Sequence, residues 1–172
     1  MKRAAGLDRA IYIIYLTDLL INELVKLGRK KMENTLNGAG WKTTALLLAR
    51  LVMAAMFALG MVFKFMSISA TAGYISSAGF PLPTLLAWCA AIFELALVLA
   101  FLTGAYFREA ALLGAVYIVF LGFAFHGPSH WTDAEGLNFG AFVSHFPFAA
   151  GLLFAAVHGP GQTLAIRMGW LK

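Results

Sequence analysis

Four apolar stretches, each about as long as a bilayer is thick, constrain this chain more than any other feature. A helix needs about 20 mostly apolar residues to cross roughly 30 Å of hydrocarbon. The stretches cover residues 43–65, 83–103, 108–126 and 138–157. None of them alternates with the period of about ten residues that is typical of a membrane barrel strand. Because backbone polar groups must be paired within the segment in lipid, each stretch is predicted to be a transmembrane helix.

The composition excludes other classes of protein. Hydrophobic residues make up 61% of the 172 residues and charged residues 12%, whereas soluble domains have roughly 45–50% and about 25%. A water-soluble globule and a disordered chain are both excluded. The single cysteine, Cys89, permits neither an internal disulfide nor a metal cluster built on cysteine.

The connections between the stretches predict the topology. Only residues 104–107 separate the second stretch from the third, which requires an antiparallel hairpin. Residues 70–77 are predicted to form a short interfacial helix that Gly79 and Pro81 end. The expected fold is all-α, an antiparallel bundle of four transmembrane helices with a short interfacial helix between spans one and two.

The distribution of Lys and Arg predicts the orientation in the membrane. Cytoplasmic loops retain an excess of these residues. Four of them fall on the side of the N-terminus, namely Lys42, Arg108, Arg167 and Lys172. Lys64 alone lies towards the opposite side. Both termini are therefore expected in the cytoplasm.

Residues 1–40 differ from the membrane domain, which is expected to cover residues 41–172. Residues 7–29 are predicted to form an amphipathic helix that binds a membrane surface or a partner. Alternatively, the run that ends at Met32 corresponds to a translated ribosome-binding site, so that Met32 is the native start. Residues 1–31 hold seven of the 13 Lys and Arg and three of the eight Asp and Glu. Residues 32–172 hold six Lys and Arg and five Asp and Glu and are therefore near neutral. No nucleic-acid partner is expected.

Two ionisable residues are predicted at similar depth inside the membrane. Arg50 lies seven residues into the first stretch, which corresponds to about 10 Å. Glu94 lies about 15 Å from the same side of the membrane. Intramembrane charges usually face the bundle interior and have partners, so we expect a buried Arg50–Glu94 ion pair. It either serves a redox site or only fastens the bundle.

The remaining polar candidates lie on the opposite side of the membrane. Lys64, His126, His130 and His145 are expected to line one polar pocket above Glu94, where a quinone head group would find donors and an acid. Simpler alternatives are that Lys64 extends to the lipid headgroups, that His126 caps a helix and that His145 is a hydrogen-bonded core residue. The sequence holds no haem, flavin or iron–sulfur motif, and no histidine spacing typical of a metal site.

Several short motifs in a fixed order carry a resemblance to a known family. In chain order they are Ala49-Arg50-Leu51, Gly60-Met61-Val62-Phe63-Lys64, Ala78-Gly79-Phe80-Pro81-Leu82-Pro83, Glu94, Gly104 with Arg108, His126 and Gly159-Pro160-Gly161. The chain resembles the DoxX family of small four-helix membrane proteins from about Trp41 to the C-terminus. It departs from the family pattern at residues 142–145, where a Phe-x-Lys-Asn type of element is common, and at residues 163–165.

The resemblance implies a bacterial inner-membrane protein connected with redox chemistry, since relatives include a subunit of thiosulfate:quinone oxidoreductase. The leading hypothesis is a quinone-linked oxidoreductase subunit with the catalytic residues Lys64, Glu94 and His126. Arg50, His145 and Trp131 would bind the quinone or substrate. Expected partners are the lipid bilayer and another redox subunit or a second copy. The alternative is a non-enzymatic membrane scaffold or assembly factor.

Overall fold

The computed structural model describes residues 2–132, 136–166 and 168–171 and contains five α-helices within them. They are α1 (Lys2–Met66), α2 (Ile68–Ser77), α3 (Pro83–Thr103), α4 (Phe107–His126) and α5 (Leu137–His158), with one 3₁₀ turn at Pro128–His130. The described residues contain no strand, and the predicted all-α fold is confirmed. The interfacial helix predicted between the first two spans is α2.

Four segments are long and apolar enough to cross a membrane, namely Gly40–Met66, Pro83–Thr103, Phe107–His130 and Leu137–His158. Apolar side chains such as Val116 and Phe154 lie exposed on their outer faces, at 70% and 68%. Faces of this kind contact lipid acyl chains in a membrane protein. The orientation of the termini stays a prediction.

The bundle has two ends, which are named here by the connections they carry. At the hairpin end, residues 104–106 join α3 to α4, and α5 finishes at His158. Gly104 adopts φ 79°, the left-handed conformation that commonly follows a helix, and its N–H donates to the carbonyl of Ala100 at 2.8 Å. At the loop end, α1 finishes, α2 lies between α1 and α3, and residues 127–136 join α4 to α5.

The chain divides into two compact units, Met1–Lys42 and Thr43–Lys172. The first unit is helical over its described residues. It contains an ion pair between Lys26 and Glu23 at 2.9 Å, with both side chains largely exposed. The choice of Met32 as the native start stays a prediction.

The core of the second unit is apolar and lies among α1, α3, α4 and α5. Phe57 of α1 stacks on Phe101 of α3, with ring centroids 5.7 Å apart, and also contacts Phe148 of α5 at 5.4 Å. At Gly114 of α4, an added Cβ would meet Phe57 at 3.4 Å and Leu152 at 3.5 Å. Small residues allow such close packing of transmembrane helices, and the core holds the four spans in register.

Candidate functional site

Three polar side chains from three helices meet inside the bundle, and we call them the polar triad: Lys64 of α1, Glu94 of α3 and Tyr117 of α4. The Nζ atom of Lys64 donates to Glu94 Oε1 at 2.8 Å and to Oε2 at 2.9 Å. The Tyr117 hydroxyl donates to Oε1 at 2.9 Å. The Lys64 side chain is 20% exposed and that of Glu94 is 4% exposed. Lys64 therefore lies in a largely buried ion pair and does not simply extend to the headgroups.

A glycine opposite Glu94 makes room for the carboxylate. A Cβ added at Gly60 would lie 3.0 Å from Glu94 Oε2. The carbonyl of Gly60 also accepts a long hydrogen bond from Lys64 Nζ, at 3.5 Å. Because helix side chains lean towards the N-terminus, Lys64 reaches back by one turn to the level of Gly60. Glu94 packs at that level.

The expected Arg50–Glu94 ion pair is wrong. Arg50 is 1% exposed, and its guanidinium donates from Nη1 to the carbonyl of Pro160 at 3.0 Å and from Nη2 to that of Leu164 at 2.8 Å. Ten residues of α1 separate Arg50 from Gly60, which corresponds to about 15 Å along the helix. Arg50 and Glu94 therefore lie at different depths.

The error has a physical cause. The depth predicted for Arg50 assumes that Thr43, the first residue of the apolar stretch, lies level with the end of the second span. The helix extends from Lys2 to Met66, so the apolar boundary does not mark its first residue. Arg50 instead lies close to the level of Thr103, where the second span ends. It binds the carbonyl of Leu164, and the N–H of Ile166, two residues further on, donates to the carbonyl of Thr103 at 2.8 Å.

Two further charged side chains bind backbone at the hairpin end. Arg108 Nη1 donates to the carbonyls of Ala156 and Val157 at 2.7 and 2.6 Å, which satisfies free carbonyls of the last turn of α5. The carboxylate of Glu109 accepts from the N–H groups of Trp170 and Leu171. Charges at this end thus fix the chain that follows α5.

An apolar cavity of about 370 Å³ adjoins the polar triad. Tyr117 belongs to both, and Phe93, the neighbour of Glu94 in the chain, lies on the wall with its ring 5.1 Å from that of Tyr117. The lining comes from α2, α3 and α4 and the turn after α2: Ile75, Phe80, Leu86, Cys89, Ala90, Phe93, Tyr117, Phe120, Leu121 and Phe125. Among these lining residues, only Cys89 and Tyr117 carry a side-chain heteroatom.

Tyr117 was not among the residues proposed from the sequence, although a signal was present. It is the one tyrosine between residues 110 and 125, an otherwise apolar run. A buried tyrosine hydroxyl usually finds a hydrogen-bond partner. That rule points to a polar residue on a neighbouring helix, and Glu94 is the partner.

Two of the histidines contact each other, and the common pocket of the histidines with Lys64 stays a prediction. His126 at the end of α4 and His145 on α5 lie side by side at the loop end, with ring centroids 5.4 Å apart. No hydrogen bond joins either of them to the polar triad within the described part of the chain. His130 lies in the 3₁₀ turn, where its Nδ1 is 3.1 Å from Ser129 Oγ.

Trp131 covers the end of α4. Its Nε1 donates to the carbonyl of His126 at 2.8 Å. Its ring contacts Phe139 and Phe142 of α5, at 5.1 and 5.3 Å. Trp131 thus belongs with the histidine pair, and the structure assigns it no contact with the cavity.

Comparisons with known proteins agree with this architecture. The DoxX family pattern matches residues 45–127. The inner membrane protein YphA of Escherichia coli (strain K12) is 32% identical over 119 residues, which are 67% of this chain and 84% of that protein. The chain belongs to the DoxX family. No solved structure matches it.

The match to the DoxX pattern covers only part of the polar residues. All three members of the polar triad lie within it, as do Arg50 and His126. Trp131 and His145 lie beyond its last residue. The protein is therefore a DoxX-family integral membrane protein, and the polar triad lies in its matched segment.

Proposed function

We propose that this protein is a subunit of a quinone-linked membrane redox system, of the thiosulfate:quinone oxidoreductase type, and that its quinone site is the apolar cavity beside the polar triad. The observation that supports the proposal is the position of Tyr117, which forms part of the cavity wall and hydrogen-bonds to Glu94. Ligand pockets are typically apolar with a few polar groups that fix orientation.

The residues present fit a quinone. The cavity, at about 370 Å³, lies within the usual size range of ligand pockets, about 300–1,000 Å³. Aromatic and aliphatic walls suit an apolar ring and the start of its tail, and Phe93 and Phe120 offer ring faces. Tyr117 supplies a hydroxyl at the wall that can turn towards a quinone oxygen.

When bound, a quinone accepts two electrons and two protons. Lys64 Nζ and the Tyr117 hydroxyl both hold hydrogens 2.8–2.9 Å from Glu94. The three groups form a continuous set of hydrogen bonds that reaches from Lys64, 20% exposed, to the cavity wall. In this proposal, Lys64 and Glu94 pass protons to Tyr117, which delivers them at the quinone.

Electrons must come from a partner, because the described residues and the sequence contain no haem, flavin or iron–sulfur motif. The electron donor is another membrane or soluble redox subunit. A second copy of the chain, the other expected partner, lacks the same motifs and would only contribute to the assembly. Its likeness to an inner membrane protein supports a location in the inner membrane, and the excess of Lys and Arg on the side of the N-terminus supports termini in the cytoplasm.

The test measures quinone bound to the purified protein. Protein extracted from its own membrane under mild conditions is expected to contain quinone in the lipid extract. Ala90→Phe places a ring in the cavity and is expected to remove the quinone, whereas Ala96→Phe, at an exposed position of the same helix outside the cavity lining, is expected to retain it. Equal quinone content in both variants, or none in the unmodified protein, contradicts the proposal.

A non-enzymatic scaffold or assembly factor is the second candidate, and one observation favours it. Both Glu94 oxygens already accept hydrogen bonds, from Lys64 and Tyr117, as in a pair that only fastens helices together. Under this alternative, Glu94→Gln lowers thermal stability and leaves quinone reduction by the reconstituted system unchanged. Under the redox proposal, Glu94→Gln lowers quinone reduction, whereas Glu109→Gln, at the hairpin end, leaves it unchanged.

A further inference from the structure

The histidine pair at the loop end is used by neither proposed function. His126 and His145 come from different helices, and both are half-buried. Gly122 of α4 allows the close approach, since an added Cβ would lie 3.2 Å from the Cβ and Cγ atoms of His145. The two rings are thus held side by side by the packing of α4 on α5.

Contacts at Nδ1 favour one neutral tautomer of each histidine. His145 Nδ1 lies 2.6 Å from the carbonyl oxygen of Ala141, and His126 Nδ1 lies 3.1 Å from the amide oxygen of Asn138. Both partners are oxygens that only accept. Nδ1 of His145 therefore holds a hydrogen and its Nε2 presents a lone pair, and the amide oxygen of Asn138 favours the same tautomer of His126.

The Nε2 atoms have no hydrogen-bond partner within the part of the chain that the structure describes. Metal-binding histidines show the same arrangement, since they almost always donate the second ring N–H to a carbonyl, a carboxylate or water. Trp131 adds a further constraint, because its Nε1 binds the carbonyl of His126 at 2.8 Å and holds the end of α4.

The spacing of the rings suits one shared ion. A bond of about 2 Å from Nε2 to a metal places the ion about 3 Å from the centre of an imidazole ring. Two ring centres 5.4 Å apart can then share an ion with a bent arrangement of the two nitrogens, as in tetrahedral coordination.

We propose that His126 and His145 bind one divalent transition-metal ion of the zinc class through their Nε2 atoms. Neutral imidazole suits zinc, copper and nickel and does not suit calcium or magnesium. The described residues contain no group of three or more His, Cys, Asp or Glu side chains able to hold a metal. Within the described part of the chain, the two imidazoles therefore supply two of the ligands of the ion.

The test is a Zn²⁺ titration of the full chain, purified through a tag without histidine, followed by calorimetry in detergent. One site is expected. His126→Ala and His145→Ala should each weaken it at least about tenfold, as should Asn138→Leu, because loss of an outer-shell partner costs about 10- to 100-fold in affinity. The chain has four histidines, so the double variant His130→Ala/His158→Ala is a complete control and should bind as the unmodified protein does.

A second measurement separates binding from folding. The melting temperature of His145→Ala without metal should stay close to that of the unmodified protein, and added Zn²⁺ should raise the melting temperature of the unmodified protein only. Absence of Zn²⁺ binding by the unmodified protein would overturn the proposal. Undiminished binding by His126→Ala and His145→Ala would overturn it as well.

Discussion

The hairpin end and the polar triad use buried charge in opposite ways. At the hairpin end, Arg50 and Arg108 donate to backbone carbonyls after and within the last turn of α5. In the triad, Lys64 and Glu94 bind one another and a tyrosine hydroxyl beside a cavity. A charge that binds backbone fixes a chain segment. Side chains that bind side chains next to a cavity can also exchange protons.

The first prediction removes one member of the triad and carries the largest expected effect. Lys64→Met leaves the Glu94 carboxylate buried without its cation, which costs about 3–5 kcal/mol of stability. The double variant Lys64→Met/Glu94→Gln should recover most of this loss, because no unpaired charge remains. Thermal melting in detergent measures both.

Lys42→Met is the matched control for this prediction, since Lys42 is exposed and its loss should leave the melting temperature nearly unchanged. Equal stability of the single and double Lys64 variants would show that Glu94 does not depend on its cation.

The second prediction concerns the hairpin end. Arg50→Met removes the hydrogen bonds to Pro160 and Leu164. Hydrogen bonds of charged groups contribute roughly 1.5–3 kcal/mol each, and burial of the apolar Met side chain offsets part of this loss. We expect a loss of about 2 kcal/mol and faster proteolytic cleavage after residue 158, with the bound quinone retained. Arg29→Met, at an exposed position, is the control. Loss of quinone at unchanged cleavage would assign Arg50 to the quinone site.

The third prediction has the smallest effect on stability. Gly60→Ala places a methyl group 3.0 Å from Glu94 Oε2, and such overpacking costs about 1 kcal/mol. Gly73→Ala, where an added Cβ meets nothing within 4 Å, should be neutral or stabilising because alanine favours helix. If Gly60→Ala is as stable as Gly73→Ala, Glu94 is not packed against α1 as described.

The fold could be predicted from the sequence because bilayer thickness imposes a simple rule on length. Three of the four apolar stretches agree with their helices to within one residue at each end, as Pro83–Thr103 does. α1 is the exception, because helix can continue beyond the membrane into polar sequence. Helical residues therefore precede the start of the apolar stretch at Thr43.

The candidate site could be predicted only in part. Lys64 and Glu94 are identified by charge inside apolar spans, but their pairing depends on the relative depth of two helices, which the sequence does not fix. The predicted depth of Arg50 in α1 was wrong by about 10 Å. For this reason Arg50 was expected to pair with Glu94. The cavity could not be predicted, because it arises where α2 packs against α3 and α4.

Protection of the single cysteine tests the central claim most directly. Cys89 is exposed and lies on the cavity wall, so a bound quinone with a short tail should slow its alkylation by a membrane-permeant maleimide. A matched variant, Cys89→Ala/Ala96→Cys, moves the thiol two turns along the same helix, to an exposed position that does not line the cavity. The account predicts protection at the native position and none in the variant. Equal alkylation rates at both positions, with and without quinone, would contradict it.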